Sequence, residues 1–243
     1  MRLIQGLVVL ALAFGPAQAE RAAALGWATE ETYDLYVGGF RAGEMTVSVD
    51  VSSGAYEVAA MFRTVGIVGF FTDQEIYAKV VGQTDGENFQ PLRYISNETE
   101  DGERSLVEVE FHLEGPSKVS ATPALRRKPW SIDPVEQTGT LDPLSAILLT
   151  FLPRDAKKAC NSQIEAFDGR HRFAFRIGPL RTQGERLLCA GEYVRVAGYK
   201  PKTLKNRPSE GFTMELEPRD DGTFRVTRLV SDGTYGAVVI KLR

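Results

Sequence analysis

The stretch MTVSVDVSSGAYEVAAMF, residues 45–62, has the alternating pattern from which the fold is predicted. Apolar and polar side chains alternate over Met45–Val51, as they do on a strand that has one face in a core and one face in water. Ser52–Gly54 supplies a turn, and the alternation resumes over Tyr56–Phe62. The stretch therefore predicts a β-hairpin.

The same period of two continues along the chain. Asp-Gly dipeptides such as Asp101-Gly102, which tolerate the positive φ of a tight turn, separate several of the segments. The further strands predicted in this way are Asp73–Val81, Pro91–Asn97, Ser105–Leu113, Ile164–Phe167, Arg172–Ile177, Arg186–Tyr199, Gly211–Glu217, Thr223–Val230 and Thr234–Leu242. Sequential strands with short turns predict a single large antiparallel meander, curled into an open, unclosed β-barrel. No linker or repeat divides it, so residues 20–243 are expected to form one mostly β domain.

One segment departs from the strand pattern and predicts a short helix. Asp142 stands where an N-cap belongs, Pro143 occupies the first helical position, and Pro153 ends the helix. A single apolar stripe is formed by Leu144, Ile147, Leu148 and Phe151. A helix of about ten residues does not persist alone in water, so this one is expected to be buried against the sheet as a plug or lid.

Residues 1–19 have the features of a cleaved secretory signal. An apolar run is followed by Ala17-Gln18-Ala19, a small-x-small site that a signal peptidase would cut before Glu20. The apolar run is too short to span a bilayer, so no transmembrane segment is expected after cleavage. Loss of Arg2 changes the net charge from −3 to −4. We therefore expect a periplasmic protein, and the weakly acidic balance argues against nucleic acid as a partner.

Cys160 and Cys189 are the two cysteines of the chain. In an oxidising compartment an isolated pair is usually bonded, so a disulfide is predicted between them. The alternative is a pair of reduced, buried thiols.

Three stretches together resemble an uncharacterised proteobacterial family of exported proteins, known only as a domain of unknown function. They are Tyr33–Glu44, Leu141–Ala146 and Phe167–Arg170, the last lying between the two cysteines. The resemblance carries no assigned activity and implies no catalytic residue. More distantly, the predicted architecture resembles the LolA/LolB and RseB-type periplasmic fold, an unclosed barrel whose concave apolar face receives acyl chains.

Catalytic candidates are few. His112 alternates with apolar neighbours and reads as an exposed strand residue, whereas His171 follows a turn; neither has the spacing of a metal site. Ser145 lacks the Gly-x-Ser-x-Gly elbow that would expose its hydroxyl. No catalytic residue, metal site or cofactor is predicted. The alternative of a hydrolase with an unrecognised active-site geometry stays open.

Apolar residues without an assigned place suggest a binding surface instead. The run Val65–Phe71 is punctuated by glycines and does not alternate, so it is expected to line a cavity or, alternatively, to form a strand buried on both faces. The candidate ligand-binding residues are Ile67, Val68, Phe70, Phe71, Leu144, Ile147, Leu148 and Phe151.

Two basic stretches stand out from the weakly acidic background, Arg126–Lys128 and Lys200–Arg207. They are expected either to meet anionic lipid headgroups or to be solvated loops. The leading hypothesis is a non-enzymatic periplasmic protein of the cell envelope that binds a lipid, another apolar ligand or a partner segment in the concave face of the barrel. The alternative is a structural protein of the envelope, with a protein partner and a permanently filled core.

Overall fold

The structure of the chain is a computed structural model that describes residues 26–66, 69, 73–155, 158–184, 186–233 and 236–243. The predicted signal segment and the candidate ligand residues Ile67, Val68, Phe70 and Phe71 lie outside the described residues. The strands are β1 Trp27–Val37, β2 Phe40–Ser52, β3 Ala55–Thr64, β4 Gln74–Thr84, β5 Phe89–Glu100, β6 Glu103–His112, β7 Gly115–Thr122, β8 Ser162–Phe167, β9 Arg172–Gln183, β10 Arg186–Ala197, β11 Ser209–Pro218, β12 Phe224–Gly233 and β13 Gly236–Leu242. The helices are α1 Pro143–Phe151 and α2 Pro201–Asn206, and a 3₁₀ turn spans Pro134–Glu136.

All thirteen described strands form one antiparallel sheet, in the order β7-β6-β5-β4-β3-β2-β1-β13-β12-β11-β10-β9-β8. Two meanders, β1–β7 and β8–β13, are therefore joined by the pairing of the first strand with the last, in the register Tyr33 to Leu242. The sheet curls into a nearly closed barrel with one unsealed seam between β7 and β8. This confirms the predicted mostly β, open-barrel fold.

Residues 139–141, between β7 and α1, bridge the unsealed seam. On the β7 side, the Gly139 amide donates to the Glu114 carbonyl at 2.8 Å. On the β8 side, Leu141 forms a parallel bridge with Ala166, and its amide donates to the Glu165 carbonyl at 2.9 Å. The segment thus satisfies backbone groups that a free sheet edge would leave open.

The tight turn predicted at Asp101-Gly102 is present in the structure. Asp101 and Gly102 connect β5 to β6 with φ angles of 49° and 86°. Both central residues of a type I′ turn need positive φ, because that backbone twist matches the twist of the two flanking strands. The Asp-Gly dipeptide is therefore a cause of this hairpin.

Three elements of the structure differ from what the sequence predicts. The period of two is evident in the sequence only from Tyr33 onward, but β1 begins at Trp27, because the polar residues between them pair with β2. Strand β7 was not predicted, since its Gly-Pro start and exposed polar side chains hide the alternation of an edge strand. The basic stretch predicted as a loop contains α2, for which Pro201 supplies the first helical position.

Helix α1 has the predicted bounds and cap. Asp142 Oδ1 accepts hydrogen bonds from the amides of Leu144 at 2.9 Å and of Ser145 at 3.1 Å. The helix touches three separate apolar clusters: Leu144 and Leu148 pack with β2–β7, Ala146 packs with β8 and β9, and Phe151 packs with β10–β12. The helix therefore packs inside the barrel against both meanders.

Candidate functional site

A cavity of 560 Å³ lies between α1 and the inner face of β1 and β2. The helix contributes Ile147, Leu148 and Phe151 to its wall. The two strands contribute Trp27, Thr29, Glu31, Tyr33, Met45, Val47 and Val49. These strand residues share a face because the register sets Glu31 opposite Val47 and Tyr33 opposite Met45, and side chains alternate along each strand. The wall is mainly apolar.

One end of this cavity is open to solvent. β13 pairs with β1 only over Tyr33–Val37, so the preceding half of β1 has β2 as its one partner strand among the described residues. The residues of the wall that face water at this end include Gly86 in the β4–β5 turn, and Arg219 and Asp221 in the β11–β12 turn. The cavity therefore opens at the end of the barrel that holds these two turns.

A small polar cluster interrupts the apolar wall. The Tyr33 hydroxyl donates to Glu31 Oε2 at 2.5 Å, and the Tyr33 ring meets Phe151 edge to face at a centroid distance of 5.9 Å. Burial and the hydrogen bond to Glu31 raise the pKa of Tyr33 above its usual range, while the nearby Arg225 guanidinium opposes that shift. Arg225 Nε is buried and has no hydrogen-bond partner among the described residues. The cluster gives the apolar cavity a polar anchor.

The predicted ligand residues divide into three groups. Ile147, Leu148 and Phe151 line the cavity, while Leu144 packs into the core beside it and is buried. The four residues of the Val65–Phe71 run remain untested. Trp27 and Glu31 were not predicted as site residues, because they precede Tyr33, where the period of two begins. The apolar alternation of β2 was the available signal, since its inward face forms the opposite wall.

Ser145, His112 and His171, the residues considered for catalysis, lie in positions that packing and strand structure explain. Ser145 is completely buried, and its hydroxyl lies 2.6 Å from the Tyr56 hydroxyl. His112 is exposed at the end of β6, whereas His171 Nδ1 lies 3.0 Å from Asp168 Oδ2. Within the described ranges, no group of three or more His, Cys, Asp or Glu side chains could hold a metal ion.

Substitution of Tyr56 by Phe is expected to lower the free energy of unfolding by about 1–2 kcal/mol, because it deletes the buried hydrogen bond that ties β3 to α1. Urea denaturation of wild type and variant measures this. Tyr77→Phe is the matched control, since Tyr77 is 37% exposed on the neighbouring strand β4. Equal losses in the two variants would contradict a supporting role for the Tyr56–Ser145 contact.

Among the described residues, no helix combines the length and the apolar composition that crossing a bilayer requires.

Comparison with known proteins gives a family and a fold. The profile of the family described as "Protein of unknown function (DUF3108)" matches residues 32–238. No curated protein matches the sequence. A solved structure, titled a β-barrel-like protein of domain of unknown function DUF1849 from Brucella abortus, is similar with a TM-score of 0.51 and 14% identity, over 91% of this chain and 98% of that chain. This likeness supports the barrel-like architecture; the likeness to the LolA/LolB and RseB-type fold is not confirmed.

Proposed function

The chain belongs to the DUF3108 family of proteins of unknown function, and on that premise we propose that it is a non-enzymatic binding protein for a lipid chain or a similar apolar ligand. The ligand enters the cavity between α1 and the inner face of β1 and β2. The observation that carries the proposal is the open, mainly apolar space of 560 Å³ beside the helix. Cavities of roughly 300–1,000 Å³ with few polar groups are typical of small-molecule sites.

The chemistry of the wall supports an amphipathic ligand. Ile147, Val47 and Met45 offer aliphatic contacts for a hydrocarbon chain, from which burial removes water. The Glu31–Tyr33 pair and the mouth residue Arg219 offer hydrogen bonds to one polar end. An acyl chain with a polar head has both parts.

The composition of the site argues against catalysis. Ser145 is sealed inside the core, and the Glu31 carboxylate already accepts the Tyr33 hydroxyl. Neither the family nor the similar structure carries an assigned activity. The alternative of a structural protein with a permanently filled core predicts no space beside α1, and the cavity favours the binding function instead.

We also propose that the protein works in the periplasm, in maintenance of the cell envelope. Two observations support export: the signal-like pattern of residues 1–19 and the disulfide between Cys160 and Cys189, since disulfides persist in oxidising compartments. A carrier of lipid chains has its substrates in the adjoining membranes.

Binding of a dansyl-labelled undecanoic acid tests the proposed site. The purified protein is expected to give a saturable rise in dansyl emission, and Ile147→Trp is expected to weaken the affinity about tenfold or more, because the larger side chain occupies the cavity. Val135→Trp is the matched control, because Val135 is 58% exposed on the 3₁₀ turn. Circular dichroism melting confirms that both variants fold.

Absence of saturable binding to the wild type would overturn the proposed function. Equal affinities of wild type and Ile147→Trp would place the probe elsewhere and would remove the support for this cavity.

A further inference from the structure

A second cavity, of 870 Å³, lies at the opposite end of the barrel and has a basic wall. The connections of an antiparallel meander alternate between the two ends of a barrel. The β4–β5 and β11–β12 turns, which border the apolar cavity, lie at one end. The β8–β9 turn, the β10–β11 connection and the segment after β7 lie at the other end, and they border the basic cavity.

Five cationic side chains from three separate parts of the sequence line this cavity. They are Arg126, Arg127, Lys128, Arg170 and Lys200. None of them forms an ion pair with a carboxylate in the part of the chain that the structure describes. By contrast, many arginines elsewhere on the barrel are paired; Arg63, for example, contacts Glu44. All five are exposed, so solvent screens their mutual repulsion, and an anion that enters the cavity meets several unpaired cations at once.

The carboxylates near the basic wall are engaged with backbone amides and with histidine. Asp133 is the one carboxylate among the described wall residues, and its Oδ1 accepts from the Val135 amide. Asp168, behind the β8–β9 turn, accepts from the amides of Arg170 and His171, both at 2.7 Å. These carboxylates keep their charge, but neither Asp133 nor Asp168 forms an ion pair with any of the five cations among the described residues.

Packing holds the β8–β9 turn in place against the sheet. Gly169 has a φ of 96°, and a Cβ at this position would lie 2.7 Å from a methyl group of Val107 on β6. The His171 ring stacks on Tyr199 at a centroid distance of 4.4 Å. With Nδ1 beside Asp168, His171 has Nε2 left for another partner. The turn thus presents Arg170 and His171 from a fixed position.

We propose that this basic cavity binds a phosphate group carried by a phosphate ester. Guanidinium groups donate two parallel hydrogen bonds to a phosphate, and several cations together favour an anion of more than one charge over a single carboxylate. Two sources share this chemistry, a soluble phosphate ester and the headgroup of an anionic phospholipid. The site is separate from the apolar cavity and does not depend on the proposed function.

The two tryptophans of the chain allow each cavity to be observed alone, because Trp130 lines the basic cavity and Trp27 lines the apolar one. In a Trp27→Phe background, Trp130 emission is recorded during titration with inorganic phosphate at constant ionic strength, with acetate as the comparison anion. A second titration uses phosphatidylglycerol vesicles against phosphatidylcholine vesicles.

The test variant is R126Q/R127Q/K128Q. The matched control is R104Q/R181Q/K241Q, which removes the same charge from three exposed cations that lie outside the basic wall and have no ion pair among the described residues. We expect saturable binding that the test variant weakens about tenfold or more and that the control leaves within about twofold. Binding of inorganic phosphate supports a soluble ester, and binding confined to phosphatidylglycerol vesicles supports a lipid headgroup.

The proposal is overturned if neither titration saturates, if acetate binds as well as phosphate, or if the control variant loses as much affinity as the test variant. Failure here leaves the dansyl probe result at the apolar cavity untouched, so the two proposals fail separately.

Discussion

Loss of the Cys160–Cys189 disulfide is expected to lower the free energy of unfolding by about 3–4 kcal/mol, the chain-entropy value for a loop closed over 29 residues. Both cysteines are buried, in the cluster that contains Met214 and Phe212 and against which Phe151 of α1 packs. The bond ties the segment before β8 to β10. For a domain of this size, the loss corresponds to a fall in melting temperature of roughly 6–16 °C.

The cleanest comparison is wild type against the C160A/C189A double variant, since alanine places no hydroxyl group in the core. Calorimetry with and without a phosphine reductant measures both forms. The reductant is expected to lower the melting temperature of the wild type and to leave that of the double variant unchanged. A wild type that melts at the same temperature in both conditions would refute the stabilising role of the disulfide.

The difference in free energy of unfolding between Asp142→Asn and wild type is expected to shift in favour of the variant by about 3 kcal/mol between pH 4 and pH 7. Burial raises the pKa of Asp142 from 3.8 to about 6, and each pKa unit corresponds to about 1.4 kcal/mol. The Oδ2 atom of the carboxylate is buried without a hydrogen-bond partner. Asparagine is neutral and keeps an oxygen for the amides of Leu144 and Ser145, so it retains the helix cap.

The direction of this pH dependence follows from the linkage between proton binding and folding. A pKa that is higher in the folded state means that the protonated carboxyl favours folding, so the contribution of Asp142 is greatest below pH 4 and is lost as the pH rises through about 6. Other carboxylates act in the reverse direction: Arg63 and Arg243 hold the pKa of Glu44 at about 2, and hydrogen bonds from Asn88 hold that of Asp85 at about 2. Their effects are common to wild type and variant and cancel in the difference.

Urea denaturation at pH 4, 5.5 and 7 measures the difference between wild type and Asp142→Asn. Asp133→Asn is the matched control, because Asp133 also accepts an amide hydrogen bond at the start of a helical turn but is exposed. Asp142→Ala, which loses the cap, is expected to cost about 1 kcal/mol at pH 4. A difference between wild type and Asp142→Asn that stays constant over this pH range would show that the carboxylate is not the cause.

The local elements were predictable because their causes lie within a few neighbouring residues. Alternation over Met45–Phe62 produced the β2–β3 hairpin, and the Asp142-Pro143 pair produced the start of α1. β7 and α2 escaped prediction, since a short polar edge strand and a short basic helix have no apolar period to mark them. The disulfide was predicted from the count of two cysteines together with the signal-like residues 1–19.

Local sequence patterns were enough to predict an antiparallel barrel, its internal helix and the apolar side of each long strand, because a period of two or of 3.6 shows which side chains avoid water. Whether those side chains meet one another depends on tertiary packing. The position of α1 beside the inner face of β1 and β2 places Val47 and Ile147 on opposite walls of one open cavity. The pairing of β1 with β13 fixes which connections share an end of the barrel, and so brings Arg126–Lys128 next to Lys200. Neither the apolar cavity nor the basic cavity could be predicted from a local pattern, because both depend on packing and strand pairing between residues far apart in the chain.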